Sequence, residues 1–471
     1  MIDALPDEGV PAEQVLAELR ELRAADLPTH GGRLFAYVYD PGLRGLDELA
    51  GAAHAISAAV NGLDPTAFPS LLAMENALVA AAARLLGGGP GTVGSVTGGG
   101  TESLLLAVKA ARDGRPDVVL PRMVVPATAH AAFAKAAHYL RVALDVVNVG
   151  PDLRADPAAM AVAIGPDTVL MAASAPSYPH GVVDPIPALA AVAEARGVRF
   201  HVDACFGGWV LPYLRRLGAD LPPFDLSVAG VTSISVDLHK YAYAPKGVSV
   251  LLHRDEALRM PQYFAYADWP GYTMVNPVVA STRSGGPIAA ALATVRHIGD
   301  AGYLALAETT RTAVATLAAA VDAVDGVEMF APPETSVVCF AATDVDLFQL
   351  ADELAVRGWH TQPQLACGHF PPTIHLTVTA AVGPTAGDFA ADLSLAVAAA
   401  RAQRPVEPPL MSLTPQDVTP ELVADLADRL GLSGGDFGRM APVNTLLNAA
   451  PPALREALLT GFLSLLQRPS E

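Results

Sequence analysis

Residues 233–247 read Ser233-Ile234-Ser235-Val236-Asp237-Leu238-His239-Lys240-Tyr241-Ala242-Tyr243-Ala244-Pro245-Lys246-Gly247. A short β-rich run enters a polar turn, and a Pro-Lys-Gly turn closes the stretch. An ammonium group directly after a histidine, just beyond a strand, is an unusual place for a lysine. In open α/β sheets the strand ends are where ligands bind. The stretch therefore predicts a sheet and, at its edge, a site organised around Lys240.

Outward from it, the pattern is one of alternation. Short β-branched runs at 118–120, 123–125, 144–149, 169–172, 198–202, 228–235 and 248–252 predict strands. Helical patterns at 129–139, 157–164 and 187–196 separate them. Such alternation predicts an α/β domain with a mostly parallel sheet. A long helix over 301–324 follows. A strand at 337–340, a helix near 346–357 and a strand at 374–379 then predict a smaller α+β unit. Residues 401–410 read as a linker, and 417–466 as two or three further helices. One of these starts at Thr419-Pro420-Glu421, with capping residues in order. Upstream, 11–25 has amphipathic helical spacing, and 47–60 and 70–86 are Ala/Leu-rich helices. Between 11–25 and 47–60, the stretch 33–39 carries aromatics at positions 35, 37 and 39, which predicts a short extended segment, either a packing arm or a lid. The expected organisation is an N-terminal helix and arm (1–46), a large domain (47–305), a small domain (306–400), and a linker with helical tail (401–471).

Composition narrows the function classes. The 471 residues suggest about three units. They are 52% hydrophobic and 17% charged, as in a globular chain. The net charge is −18 without a basic run, which argues against nucleic acid and anionic membranes as partners. Cys205, Cys339 and Cys367 have no metal-binding or disulfide spacing, so neither a metal site nor a disulfide framework is expected. No uninterrupted apolar run reaches the roughly 18 residues of a membrane span, and the acidic N-terminus lacks a signal-peptide pattern. These features predict a cytoplasmic protein without a transmembrane anchor.

Three more stretches carry chemistry. Thr97-Gly98-Gly99-Gly100-Thr101-Glu102-Ser103 is a Gly-rich turn opening a helix, where free amides and the positive dipole end suit a phosphate. His201-Val202-Asp203 ends a strand, and a carboxylate there can face a pyridine nitrogen and keep it protonated. His130 starts a helix after a strand and is placed to lie on a ring. Singly, Asp203 reads as a helix cap, His130 as a surface histidine and Lys240 as a solvated lysine. In this order with the glycine turn, they predict a pyridoxal phosphate (PLP) site with Lys240 as its Schiff-base lysine.

The chain resembles the PLP-dependent group II decarboxylase superfamily, and within it the sphingosine-1-phosphate lyases. The resemblance is carried by 97–103, 126–139, 174–184, 201–213, 237–247, 281–288 and 374–379, with weaker similarity from about 13 to about 400. It implies PLP fold type I: a large mixed, mostly parallel sheet domain plus a smaller C-terminal α+β domain. It also implies a homodimer with sites at the interface. Lys240, Asp203 and His130 would be catalytic. Gly99, Gly100, Thr101 and His239 would hold the cofactor phosphate. Lys246 and Tyr39 would take the substrate's phosphate end, and Arg283 would approach the site. Tyr178 and Tyr243 are candidates for handling the substrate hydroxyl. The implied reaction is retro-aldol cleavage of the C2–C3 bond of a β-hydroxy amine, giving an aldehyde and an aminoalcohol phosphate. The sequence departs from the lyases at Asp64, where they carry a phosphate-binding histidine, and at Phe35-Ala36 and Leu238. A carboxylate at 64 repels a phosphate unless Lys246 and other cations outweigh it; it would instead suit a substrate amine or hydroxyl. The alternatives are an amino-acid α-decarboxylase on the same scaffold and a catalytically silent PLP-fold binding protein. The intact Lys240–Asp203 pair speaks against the second.

Overall fold

The computed structural model describes residues 5–406, 413–431 and 438–468. Its centre is a seven-stranded sheet of β1 (Val93–Thr97), β2 (Arg122–Pro126), β3 (Ala143–Val147), β4 (Thr168–Ser174), β5 (Arg199–Asp203), β6 (Ser233–Asp237) and β7 (Ser249–His253), in the order β1-β7-β6-β5-β4-β2-β3. Strands β2 to β6 run parallel, and β7 is antiparallel to both β6 and β1. The sheet is thus mixed and mostly parallel, as expected. Every residue of β4, β6 and β7 is buried. Strands covered on both faces need apolar or small residues throughout rather than alternation, and these have them.

Two strand expectations change. Residues 118–120 lie in an irregular loop, with Val119 and Leu120 exposed, and do not pair in the sheet. In turn, β1 was hidden by its glycine and serine, and only its antiparallel pairing with β7 makes it a strand. That pairing matters for the site. Thr97 and Asp237 both lie opposite Ser249, and Asp203 lies opposite Ser235. The ends of β1, β5 and β6 therefore open on one edge.

Upstream lie α1 (Ala12–Leu22), α2 (Leu46–Ser57) and α3 (Pro69–Leu85), the last with Pro69 in its first turn. The sheet is flanked by α4 (Gly100–Asp113), α5 (Ala132–Leu140), α6 (Pro157–Ala163), α7 (Ile186–Arg196), α8 (Leu211–Arg216) and α9 (Glu256–Arg259). Asp156 caps α6 by accepting from Ala158 N at 2.8 Å, and Gly197 ends α7 in the left-handed region at φ 65°. A hairpin of β8 (Phe264–Tyr266) and β9 (Met274–Asn276) follows.

The helix α10 (Gly286–Asp322) begins earlier than the sequence pattern implied and is kinked at Gly299 (φ 64°, ψ 173°). It is long and apolar enough to cross a membrane by length and composition alone, but half of that window is buried in the protein. It joins the large sheet to a four-stranded sheet of β10 (Val327–Met329), β11 (Val337–Ala342), β12 (Gln362–Gln364) and β13 (Thr373–Thr377), ordered β10-β11-β13-β12. Helices α11 (Leu347–Val356) and α12 (Ala386–Arg401) cover it. The expected domain boundary at 305 falls inside α10.

The 33–39 segment packs against both the small and the large domain. Its first half is an arm on the small domain: Phe35 is fully buried, stacks on Trp359 at 5.8 Å, and exchanges backbone bonds with His360 and Thr377. Truncating a phenylalanine so placed costs about 3–5 kcal/mol. Its second half, from Tyr37, turns toward the sheet edge. Beyond α12, the reading of 401–410 as a linker lies partly outside the described residues. The tail forms α13 (Pro420–Arg429), α14 (Ala441–Ala449) and α15 (Pro452–Leu466) around its own small core of Leu426, Leu454 and Leu458. Thr419 caps α13, accepting from Leu422 N at 3.3 Å.

Candidate active site

The ends of β1, β4, β5 and β6 surround a cavity of about 660 Å³. Among its lining residues are Gly99, Gly100, Thr101, His130, Tyr178, Asp203, His239 and Lys240. Strands scattered along 140 residues of sequence thus bring most of the expected residues to one place.

Lys240 lies one turn past the end of β6, and its Nζ is 2.9 Å from Asp237 Oδ2. Both groups are buried, which opposes charge on each. Their mutual attraction overcomes this, holding the Asp237 carboxyl below its usual range and the Lys240 ammonium above its own. Asp237 Oδ1 is buried and has no hydrogen-bond partner among the described residues. His239 donates from Nδ1 to Val248 O at 2.9 Å, leaving Nε2 3.5 Å from Asp237. Burial pushes the His239 pKa down. Asp203 is the last residue of β5; its Oδ1 accepts from Cys205 N at 3.1 Å. His130 Nδ1 accepts from Ala132 N at 3.1 Å in the first turn of α5, which leaves the ring proton to Nε2.

These residues fit PLP. The first amides of α4 have no intrahelical acceptor and face the cavity as a phosphate cradle. The cradle needs its glycine: a Cβ at Gly100 would lie 2.8 Å from Asp237 Oδ2 and 2.9 Å from Cys205 Sγ. Asp203 supplies the carboxylate for the ring nitrogen, His130 a flat side chain and Lys240 the amine.

Around this floor, Tyr39 packs edge-on against Tyr241 (5.2 Å) and Phe206 (6.1 Å). Lys246 Nζ lies 5.0 Å over the Tyr39 ring and 3.4 Å from His239 O. Although partly open to solvent, Lys246 loses hydration against these neighbours and sits near Lys240, so its pKa falls to about 8. Tyr178 stacks on His375 at 4.5 Å and donates to Gln362 Oε1 at 2.6 Å. Burial raises its pKa.

Three expected substrate residues lie elsewhere in the chain's own fold. Tyr243 is buried behind the lysine turn against Tyr241, at 6.2 Å, with Tyr303 close by, because its left-handed backbone (φ 59°) turns the ring into the core. Asp64 is exposed and closes its own turn, accepting from Thr66 N (2.8 Å) and Thr66 Oγ1 (2.6 Å). Arg283 is paired with Glu75 instead of facing the cavity, and its carbonyl accepts from Gly62 N at 2.8 Å. Conversely, sequence reading missed Asp237, Lys135, Tyr139 and Phe206, all of which line the cavity. Asp237 had a usable signal: a carboxylate at a strand end, three residues before the key lysine.

The chain matches the family model described as aminotransferase class-V over residues 95–370. Residues 398–465 match that of a pyridoxal-dependent enzyme, C-terminal putative HTH domain. It is 38% identical over 384 residues to sphingosine-1-phosphate lyase 1 of Rattus norvegicus, covering 80% of this chain and 66% of the rat protein's length. With the sphingosine-1-phosphate lyase of Arabidopsis thaliana it shares 37% identity over 410 residues, covering 85% of this chain and 74% of that protein. A solved structure of the Burkholderia pseudomallei sphingosine-1-phosphate lyase superposes with a TM-score of 0.80 at 36% identity, covering 84% of this chain and 93% of that one.

Proposed function

The chain belongs to the sphingosine-1-phosphate lyase family of PLP-dependent enzymes, and from that premise we propose that it cleaves the C2–C3 bond of a lipid-like β-hydroxy amine, releasing an aldehyde and an aminoalcohol phosphate. Bound PLP supplies the sink for the electron pair left at C2. The chain's residues do the rest. Lys240 would hold the cofactor and, as a free amine, is placed to take the proton of the 3-hydroxyl as the C2–C3 bond breaks and to return that proton to C2. Asp237, 2.9 Å away, stabilises the ammonium form of Lys240 between the two transfers. Asp203 keeps the proton on the ring nitrogen by its charge. His130 covers one face of the ring. Lys246, beside Tyr39, attracts the substrate's phosphate. Tyr178, with its raised pKa, stays a hydroxyl at neutral pH; its proton goes to Gln362, so its oxygen orients the substrate as an acceptor.

The observation that favours the lyase over the decarboxylase is the set of cations. Among the described residues lining the cavity are Lys135 and Lys240 but no arginine, and Arg283 is taken up by Glu75. A planar carboxylate is best held by the fork of an arginine, whereas lysines serve a phosphate as point charges. The test is to incubate the PLP-loaded enzyme with sphingosine 1-phosphate and an amino-acid panel, assaying both aldehyde and carbon dioxide. Aldehyde without carbon dioxide is expected; carbon dioxide from an amino acid with no aldehyde would install the decarboxylase reading.

The enzyme is proposed to act as a cytoplasmic homodimer. In support, Cys205 and Cys339 are free and buried. The hairpin β8–β9 exposes Phe264, Tyr266, Trp269, Tyr272 and Val275, apolar side chains of the kind an interface covers. It leads to Val279 at the cavity mouth. Sedimentation at several concentrations tests the dimer.

A further inference from the structure

Tyr178 lines the cofactor cavity, and its hydroxyl is near enough to the Lys240 ammonium to feel its charge. A phenol has one proton to donate and lone pairs to accept with. What it offers a substrate depends on where that proton goes. Three residues of the small domain decide this. Gln362 of β12 lies opposite His375 of β13 in the antiparallel register, and Thr377 follows His375 by two positions on the same strand. The three side chains therefore share one face of the sheet, the face that meets Tyr178.

The protons along this face run in one direction. His375 is fully buried, and burial holds its pKa down to about 4, so the ring is neutral at pH 7. Its Nδ1 donates to Pro179 O at 3.3 Å, an atom that can only accept, which places the ring proton on Nδ1. Nε2 is then an acceptor, and Thr377 Oγ1 donates to it at 2.8 Å. Thr377 has no second proton. Its hydroxyl is also within hydrogen-bonding reach of Tyr178, where it can only accept. On the other side, Tyr178 Oη donates to Gln362 Oε1 at 2.6 Å. The phenol proton is thus committed to the protein, and neither neighbour offers a proton to its oxygen. His375 also stacks on the Tyr178 ring at 4.5 Å, which fixes the plane of the phenol. The tail steadies β12, an edge strand of three residues. Asp352 of α11 accepts from Met440 N (2.9 Å) and Ala441 N (3.0 Å) at the start of α14, and Asn448 Oδ1 accepts from Ala366 N at 2.7 Å just past β12.

We infer that His375 and Gln362 are positioning residues that make Tyr178 a hydrogen-bond acceptor toward the cavity, so that the site selects an amine with a hydroxyl on the neighbouring carbon over its oxo counterpart. A hydroxyl brings the proton that the phenol oxygen lacks. A carbonyl at the same carbon sets lone pair against lone pair and leaves the phenol oxygen unpaired. The inference rests on the lyase reading only for the class of amine. The direction of the protons rests on Pro179, Gln362, His375 and Thr377.

The test compares binding of a short-chain 2-amino-3-hydroxyalkyl phosphate with that of its 3-oxo isostere. The PLP-loaded enzyme is first reduced with borohydride, so that the cofactor stays on Lys240 and neither ligand reacts. Calorimetry then gives the ratio of the two dissociation constants. Wild type is expected to favour the hydroxy ligand about tenfold, the effect of one hydrogen bond made or left unmade. Two pairs of variants change proton direction while nearly preserving size. His375→Gln still donates to Pro179 O and accepts from Thr377, and is expected to keep the preference. His375→Leu frees the Thr377 proton for the phenol oxygen, and is expected to reduce the preference to about twofold or less. Gln362→Glu can only accept and should keep it; Gln362→Lys can only donate and should lose it. Gln362 lies on an edge strand, so the second pair decides the matter if His375→Leu does not fold. No preference in wild type, or a preference that survives in His375→Leu or Gln362→Lys, overturns the inference. Equal loss in both members of a pair also overturns it, because packing would then be the cause. The lyase reading stands or falls separately: a preference without aldehyde formation upholds the positioning role alone, and aldehyde without a preference upholds the lyase reading alone.

Discussion

Lys240 and Lys246 lie six residues apart in one turn, yet their surroundings move their ammonium groups in opposite directions. Lys240 is largely buried, and the Asp237 carboxylate 2.9 Å away more than offsets the cost of burying its charge. Lys246 stands higher, near an aromatic ring and another cation, with no carboxylate within ion-pair reach among the described residues, and its pKa drops to about 8. The first belongs to a floor set by strand register. The second belongs to a rim gathered from the arm, the small domain and the lysine turn. A floor of this kind performs chemistry that many substrates share; a rim of this kind chooses among them.

The comparison can be broken most severely at the floor. Lys240→Ala is expected to reduce turnover by about 10⁴-fold or more and to leave no borohydride-reducible link to PLP. Residual attachment in a reduced, digested sample would move the site elsewhere. Next in size, Asp203→Asn should lower kcat by about 10²–10³-fold while the cofactor remains attached. Equal attachment with unchanged kcat would deny Asp203 the ring nitrogen. Asp237→Asn tests the opposite pull on the two lysines. Asp237 raises the Lys240 pKa, so its loss increases the neutral amine at a given pH. The pH profile for PLP attachment to the apoprotein is then expected to move to lower pH; a profile that stays in place refutes the pairing. The smallest effect is at the rim. Lys246 is cationic below about pH 8 and neutral above it, so KM for a phosphorylated amine should rise as pH passes through 8. Lys246→Met should raise KM about fivefold at pH 7, with little change in kcat, and flatten that rise. A steady-state pH series on both proteins decides it.

The floor was legible in the sequence because its residues sit at strand ends, where β-branched runs give way to polar turns. Asp203, His130, Lys240 and the glycine turn all carry that local signature. Asp237 carries it too, two residues beyond the strand expected at 228–235, which the structure extends to it. The rim was less legible because nothing local marks it. Tyr243 looked equivalent to Tyr178, and only a left-handed backbone at 243 sends it into the core. Asp64 looked like a free carboxylate until Thr66 was seen to close its turn. Arg283 looked free until Glu75, more than 200 residues earlier in the chain, was seen to pair with it. The strand β1 was invisible because its identity rests on a partner strand some 150 residues away. The tail's place against β12 depends on Asp352 and Ala366, which no tail pattern announces.

The contrast between the two lysines also supplies the most direct test. The PLP-loaded enzyme is reduced with borohydride, digested, and its peptides are mapped by mass spectrometry. The pyridoxyl group is expected on Lys240 alone. Its presence on Lys246 or Lys135, or its absence from every lysine, would contradict the account.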